Sequence, residues 1–351
     1  MSGGVDSSVA AVLTQEAGYD VIGVTLKQWI GPDGEMPTSG CCTVADAEDA
    51  RRVAAQLDVP YYVLDYVEEF TRAVVEPFAA DYAAGRTPNP CIECNRTVRF
   101  SALFDRMDAL GADVLVTGHH ARVMGDDSGW HLLRAVDGGK DQSYVLHMLG
   151  QQELSRVRLP VGEMTKASVR SIAASMGLRT AAKPDSQDIC FVKTDYRDFL
   201  DSVIPGAARP GDVVATDGTV VGTHEGTSRF TIGQRKGLGV AVGEPRYVVD
   251  IRPAAAQVVI GSYDELLVDG CLVSSVSWVA GRPPTAADVD VKVRYRSKPV
   301  PASIAAEAGG TWSVLFGEAR PAPAPGQSAV FYDGDEVLGG GVIDQILRSD
   351  G

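Results

Sequence analysis

Met1-Ser2-Gly3-Gly4-Val5-Asp6-Ser7-Ser8 decides the architecture, because a Ser-Gly-Gly-x-Asp-Ser run entering a helix is built to hold a pyrophosphate. Gly3 and Gly4 let backbone N–H groups approach an anion closely, and Ser2, Ser7 and Ser8 add hydroxyls. The helix that follows points the positive end of its dipole at the phosphates. Asp6 is suited to hold a Mg2+ that bridges to those phosphates. The run lacks the Gly-Lys-Ser/Thr ending of a Walker A loop. A loop of this kind follows a buried parallel strand, yet only Met1 precedes Ser2. Without that strand about five buried aliphatic side chains would be lost, on the order of 10 kcal/mol. That is comparable with a domain's whole stability, so a start upstream of Met1 is expected.

Outward from the loop, the first half alternates helix and strand. Periodicity predicts helices over 9–17, 45–57, 68–84 and 95–110, and apolar strands over 21–26, 61–64 and 113–117. Such alternation implies a parallel sheet wrapped by helices, with ligands bound beyond the carboxyl ends of the strands. From about Ser202 the chain changes to short β-rich segments punctuated by Gly and Pro. Three domains are expected: an α/β domain over 1–201, a small β-rich domain over 202–270, and a β-barrel over 271–351.

Composition narrows the class. The 351 residues are 45% hydrophobic and 22% charged, as in ordinary globular proteins. No apolar run reaches about 18 residues, so no membrane partner is expected and the chain reads as cytoplasmic. In that compartment the six cysteines, Cys41, Cys42, Cys91, Cys94, Cys190 and Cys271, point to redox or metal chemistry rather than a disulfide framework. The net charge of −14 argues against a polyanionic partner unless local basic surfaces exist.

Three further segments carry chemistry. Thr87-Pro-Asn-Pro-Cys-Ile-Glu-Cys-Asn95 delivers Cys91 and Cys94 from a rigid loop into a helix start, where a thiolate is stabilised; a zinc half-site or two inert thiols would have the same spacing. Lys183-Pro-Asp-Ser-Gln-Asp-Ile-Cys-Phe191 presents Cys190 beside carboxylates, and by itself is equally well a packing cysteine. Val291-Lys-Val-Arg-Tyr-Arg-Ser-Lys298 alternates, so on a strand Lys292, Arg294, Arg296 and Lys298 would share one face and track phosphates, or merely be solvated. Arg229, Arg235 and Lys236, and Arg86, Arg96 and Arg99, supply further cations.

Seven motifs occur in order: Ser2–Ser8, Asn89-Pro90 with Cys94-Asn95, Thr117-Gly-His119 with Ala121-Arg122, Lys140-Asp-Gln-Ser-Tyr144, Asp185-Ser186 with Ile189-Cys-Phe191, Phe230-Thr-Ile-Gly-Gln-Arg-Lys-Gly237 and Leu338-Gly-Gly-Gly341. Over nearly the whole chain they resemble the tRNA-specific 2-thiouridylase family, a branch of the PP-loop ATP pyrophosphatases, which split ATP to AMP and pyrophosphate. The resemblance implies an α/β PP-loop domain with a parallel sheet, a small β-rich central domain and a C-terminal β-barrel that contacts tRNA. It implies ATP-dependent 2-thiolation of the wobble uridine, with ATP and Mg2+ required. The uridine oxygen is adenylated and persulfide sulfur then displaces AMP.

In that scheme Cys190 receives sulfur from a persulfide-carrying donor protein. Cys94 cooperates, by forming a disulfide with Cys190 or by assisting direct attack. The nucleotide-binding set carried over is Ser2, Gly3, Gly4, Val5, Asp6, Ser7, Ser8, Leu26 and Gly118. The tRNA-binding set is Asn89, Pro90 and Cys91 around an extruded base, with His119, Lys140, Asp141, Gln142, Arg294, Tyr295 and Gln327. One position departs from the family: many members have Asp where Cys91 stands. That change allows a [4Fe–4S] cluster on Cys91, Cys94 and Cys190 that would deliver hydrosulfide. A PP-loop ligase forming a C–N bond, or a catalytically impaired tRNA-binding protein, are the competing readings.

Overall fold

The computed structural model describes residues 1–31, 34, 43–185, 189–192, 195–203, 209–240 and 243–348. Cys41, Cys42 and Ser186 lie outside the described residues. The first helix, α1 (Val5–Glu16), starts earlier than periodicity places it, because Ser7 and Ser8 sit inside its first turns. α2 (Val44–Gln56) begins with a capping box: the Asp46 amide donates to Thr43 Oγ1 at 3.0 Å and the Thr43 amide donates to Asp46 Oδ2 at 3.0 Å.

The strands of the first half are β1 (Gly23–Lys27), β2 (Tyr61–Asp65), β3 (Leu115–Val116), a hairpin of β4 (Ala121–Asp126) and β5 (Gly129–Arg134), and β6 (Val157–Arg158). β1 pairs with β2 and β3 with β6, both in parallel, as βα alternation demands. The parallel strands thus form two pairs, and among the described residues no ladder joins β1 to β3. A cleft runs between the pairs, floored by Ala10, Ala11 and Thr14 of α1.

Two expected helices are less regular than periodicity indicates, and the second starts five residues earlier. Val67–Phe70, Thr71–Val75 and Glu76–Ala83 form one run with a π-helical middle, and Pro90–Glu93 continues through π-helical Cys94–Ala102 into Leu103–Leu110. A π-helical stretch widens the turn and often marks a functional site. Here it carries Cys94 and Asn95.

The second half is mainly β, with a short α-helix at Tyr263–Leu266. Four strands, β7 (Gly211–Ala215), β8 (Val220–His224), β9 (Tyr247–Arg252) and β10 (Gln257–Gly261), make a sheet in the order β8-β7-β10-β9. Six more, β11 (Leu267–Trp278), β12 (Asp288–Lys292), β13 (Val300–Ala306), β14 (Trp312–Pro321), β15 (Ser328–Asp333) and β16 (Glu336–Leu347), close into a barrel through the β11–β16 pairing. The β4–β5 hairpin joins this barrel through β5–β16, so the first half of the chain supplies two strands to the C-terminal sheet. The alternating reading of 291–298 is overturned: β12 ends at Lys292, and the Ser297 amide donates to the Arg294 carbonyl at 3.0 Å in a turn. Its four cations therefore do not share a face.

An aromatic cluster packs behind the thiols. Phe191 is buried and meets Phe70, Phe78 and Phe199 with ring centroids 5.6, 5.3 and 5.1 Å apart. Edge-to-face contacts of this kind bind beyond simple area burial. Phe191→Ala should cost ~3–5 kcal/mol of unfolding free energy, read from the shift of the urea midpoint. A loss below about 1 kcal/mol would show that the cluster collapses into the space.

Candidate active site

The phosphate loop has the geometry of an anion cradle. Gly4 is the N-cap of α1 and no side chain caps that helix, so the first-turn amides of Val5, Asp6 and Ser7 stay open. The Ser2 amide donates to Ser7 Oγ at 3.0 Å, and the two hydroxyls lie 3.1 Å apart. Both serines line the cleft. Ser8 does not: it is buried, and its hydroxyl donates to the Gly4 carbonyl at 2.9 Å, which shapes the loop from behind. Gly3 is left-handed at φ +68° and packs against the Asp46 backbone. A Cβ on Gly118 would come within 2.6 Å of Asp6 C and Ser7 N, so only glycine lets this strand end press against the loop.

The Asp6 carboxylate is held from two sides. Lys166 Nζ donates to its oxygens at 2.8 and 2.7 Å, and His120 Nε2 lies 3.1 Å away. Burial raises the Asp6 carboxyl, but the hydrogen bonds and charges of His120 and Lys166 outweigh it and hold the group below its ordinary range. Lys166 also pairs with Asp185 at 2.9 Å, and Asp185 receives Lys140 at 2.8 Å and Arg170 at 2.7 Å. Lys183 donates to the Gly3 carbonyl at 3.0 Å, to Asp46 at 2.6 Å and to Asp49 at 2.9 Å. The segment leading to Cys190 is thereby clasped to the phosphate loop at Lys183 and Asp185.

Lys166, His120 and Lys183 were not singled out from the sequence. One signal for Lys166 was present: it follows the N-cap Thr165, in a first turn where the helix dipole disfavours a cation.

Cys94 and Cys190 face the same cleft, and Cys190 packs on the apolar cluster that contains Cys94, Trp29, Phe70 and Phe191. Cys94 is buried inside the continuous helical run rather than at its start, and Gln28 Nε2 donates to its sulfur at 3.3 Å. Cys91 occupies the helix start instead, with its amide donating to Asn89 Oδ1 at 3.1 Å, and is exposed. Among the described residues no group of three His, Cys, Asp or Glu side chains is placed to hold a metal ion. Cys91, Cys94 and Cys190 thus do not form such a group, and the expected [4Fe–4S] cluster finds no support in their arrangement.

Leu26 and Gly118 line the cleft near the loop, and Asn89, Pro90, Lys140, Asp141, Gln142 and Tyr295 line it elsewhere. Asp141 is buried, accepting from the amides of Ala135 and Ser143 at 3.2 and 3.1 Å, so it shapes the turn that presents Lys140. Gln142 and His120 exchange two bonds, through Gln142 Oε1 at 2.8 Å and the Gln142 amide at 2.7 Å. His119 also lines the cleft. Burial first, then Arg99, depresses its imidazole to about 3, so it is neutral, and it bonds Thr117 Oγ1 at 2.8 Å.

Arg294 donates to the carbonyls of Ile232 and Ala322, joining the central sheet to the barrel, and Gln327 Nε2 donates to the Thr87 carbonyl at 2.6 Å, bracing the Asn89 loop. Of the other expected cations, Arg86 pairs with Asp81 and Asp344, Arg96 with Glu93, and Arg229 with Asp201 and Glu225.

The ion cluster makes a pH prediction. Burial raises the Asp185 carboxyl, but Lys140 and Lys166 outweigh it and bring it from 3.8 to about 2. A depressed carboxylate stabilises the fold above its unfolded value, and that contribution is lost as pH falls from about 4 through about 2. Asp185→Asn should therefore flatten the dependence of unfolding free energy on pH in that window, measured by urea titration at stepped pH. An unchanged slope would locate the acid sensitivity elsewhere.

Known proteins match this chain along its length. Residues 1–194 match the tRNA methyl transferase HUP domain family, 197–262 the tRNA methyl transferase PRC-barrel domain and 268–343 the aminomethyltransferase beta-barrel domain. The tRNA-specific 2-thiouridylase MnmA of Geobacter metallireducens is 47% identical over 354 residues, covering 99% of this chain and 96% of the relative. Its counterpart from Chloroflexus aggregans is 48% identical, covering 98% and 96%. That from Carboxydothermus hydrogenoformans is 48% identical, covering 99% and 97%. With the phosphate loop, the two cleft thiols and this near full-length identity in hand, the chain belongs to the tRNA-specific 2-thiouridylase family.

Proposed function

We propose that this chain converts the wobble uridine of tRNA to 2-thiouridine, using ATP to activate the uridine oxygen and sulfur carried on Cys190 to replace it. One observation carries the reading: one cleft is lined both by the phosphate loop with its open amides and by both thiols. A nucleotide and an extruded base would meet there.

The open amides of Val5, Asp6 and Ser7 and the hydroxyls of Ser2 and Ser7 bind the ATP phosphates. Asp6 is the loop carboxylate able to hold Mg2+, with phosphate oxygens completing its shell as that ion prefers. Bound there, the ion would neutralise charge on the departing pyrophosphate. The uridine oxygen attacks the α-phosphorus, the bond to pyrophosphate breaks, and the base loses its ring N–H proton. A persulfide on Cys190, loaded by a persulfide-carrying donor protein, then attacks C2 through its terminal sulfur, and AMP leaves with the original oxygen. Cys94 thiolate attacks Cys190 Sγ, expelling the thiolated base and leaving a Cys94–Cys190 disulfide that a dithiol returns with two electrons. Neutral His119, Asn89, Pro90 and Tyr295 frame the base.

No helix among the described residues is long and apolar enough to cross a membrane, in keeping with an RNA substrate. A C–N ligase of the same fold would need neither thiol. Cys94→Ser and Cys190→Ser should each lower 2-thiouridine formation at least about 1,000-fold, measured by mass spectrometry of tRNA nucleosides with a persulfide donor. Pyrophosphate release in a single turnover should persist in both. Retained thiolation in either variant would sink the two-thiol route, and loss of pyrophosphate release would place the cysteines in adenylation instead.

A further inference from the structure

Lys292, the last residue of β12, is 7% exposed, yet its ammonium has no carboxylate or hydrogen-bond acceptor among the described residues. It lies 5.6 Å from the ring centroids of both Tyr144 and Tyr295. Two ring faces recover only part of what a desolvated ammonium loses on leaving water. Asp141 is the acid whose charge reaches it, but that carboxylate is engaged by the Ala135 and Ser143 amides and by Arg134 at 3.6 Å. Asp290, two residues earlier on the strand, forms no ion pair with it among the described residues. A buried ammonium without a counter-ion either gives up its proton or takes an anionic ligand, and Lys292 lines the cleft from which such a ligand would come.

The position selects the ligand. Tyr295, whose ring contacts Lys292, is within electrostatic reach of Cys91 on the Asn89–Cys91 loop. Arg296 and Lys298 line the same cleft, as do Arg134 and Lys140, which pair with Asp141 and Asp185. In the reading above the nucleotide phosphates take the α1 amides and the Ser2 and Ser7 hydroxyls, on other elements. We propose that Lys292 binds a backbone phosphate of the tRNA beside the base that enters the cleft, with the two tyrosine rings orienting the ammonium. This rests on the thiolation reading above. The phosphate oxygen replaces the missing counter-ion, so binding and insertion of the base are coupled through one buried contact.

The test uses the full chain and an unmodified tRNA transcript without ATP, with affinity measured by filter binding across about 50–250 mM salt. Lys292→Met, which keeps the aliphatic stem, should weaken binding roughly tenfold and reduce the slope of log affinity against log salt by about one. Lys292→Arg should keep the wild-type slope, and KM for ATP should be unchanged in both. Lys292→Gln serves if the methionine variant does not fold. A folded, uncharged variant with wild-type slope would make Lys292 a packing residue and overturn the proposal. So would a raised KM for ATP with unaltered tRNA binding, which would assign the ammonium to the nucleotide. Wild-type protein that bound no tRNA would instead refute the thiolation reading itself.

Discussion

The Lys166 ammonium, 2.7 Å from Asp6 and 2.9 Å from Asp185, is the charge around which the site closes. Removing one partner of a fully buried pair costs ~3–5 kcal/mol, because the other charge is left uncompensated. Here the side chains of Lys166, Asp6 and Asp185 are 11%, 29% and 21% exposed, so solvent screening takes the cost below that range. The value of the contact is as much geometric as energetic. It joins the phosphate loop to the segment that leads to Cys190. Lys183 repeats the connection at the Gly3 carbonyl. In the proposed mechanism, activation of the base and delivery of sulfur would thus share one electrostatic body.

Around the thiols the physics is different. Cys94 and Cys190 lie against Trp29, Phe70 and Phe191, an apolar wall in which Cys94 is buried while Cys190 stays partly exposed. The π-helical stretch from Cys94 to Ala102 widens the helix where it meets this wall, and Asn95 Nδ2 anchors it by donating to the Val145 carbonyl at 2.9 Å. A regular α-helix through the same residues would rotate the thiol relative to the cleft, since each widened turn shifts the following side chains.

Charge distribution resolves the apparent conflict between a net charge of −14 and an RNA substrate. Acids neutralise cations away from the cleft, where Asp344 binds Arg86 and Asp201 binds Arg229, and also within it, where Asp6 and Asp185 bind Lys166 and Asp185 binds Lys140. Among the described residues Lys292 has no such partner. Field near a surface follows local arrangement rather than the total, so the sum in the composition says little about where an anion docks.

Much of the molecule was legible in its residues. Gly3-Gly4 with the serines around them announced an anion cradle, and period-3.6 and period-2 patterns located α2, β1 and β2, because helix faces and strand faces repeat at fixed spacings. The motif order carried the family, and with it Cys94 and Cys190. Strand order, barrel closure through β11–β16 and the loan of the β4–β5 hairpin to the barrel were not legible, since hydrogen bonds between distant strands leave no local pattern. The 291–298 stretch misled for the same reason: alternation is compatible with a strand, while the turn after Lys292 is imposed by Arg294 reaching the Ile232 and Ala322 carbonyls. The amino-acid sequence by itself put forward the groups proposed to bind phosphate and carry sulfur. Only the tertiary structure decided which charges meet, placing Lys166 on Asp6 and leaving Lys292 without an ion-pair partner among the described residues, because ion pairs and desolvation depend on distances that the chain order does not contain.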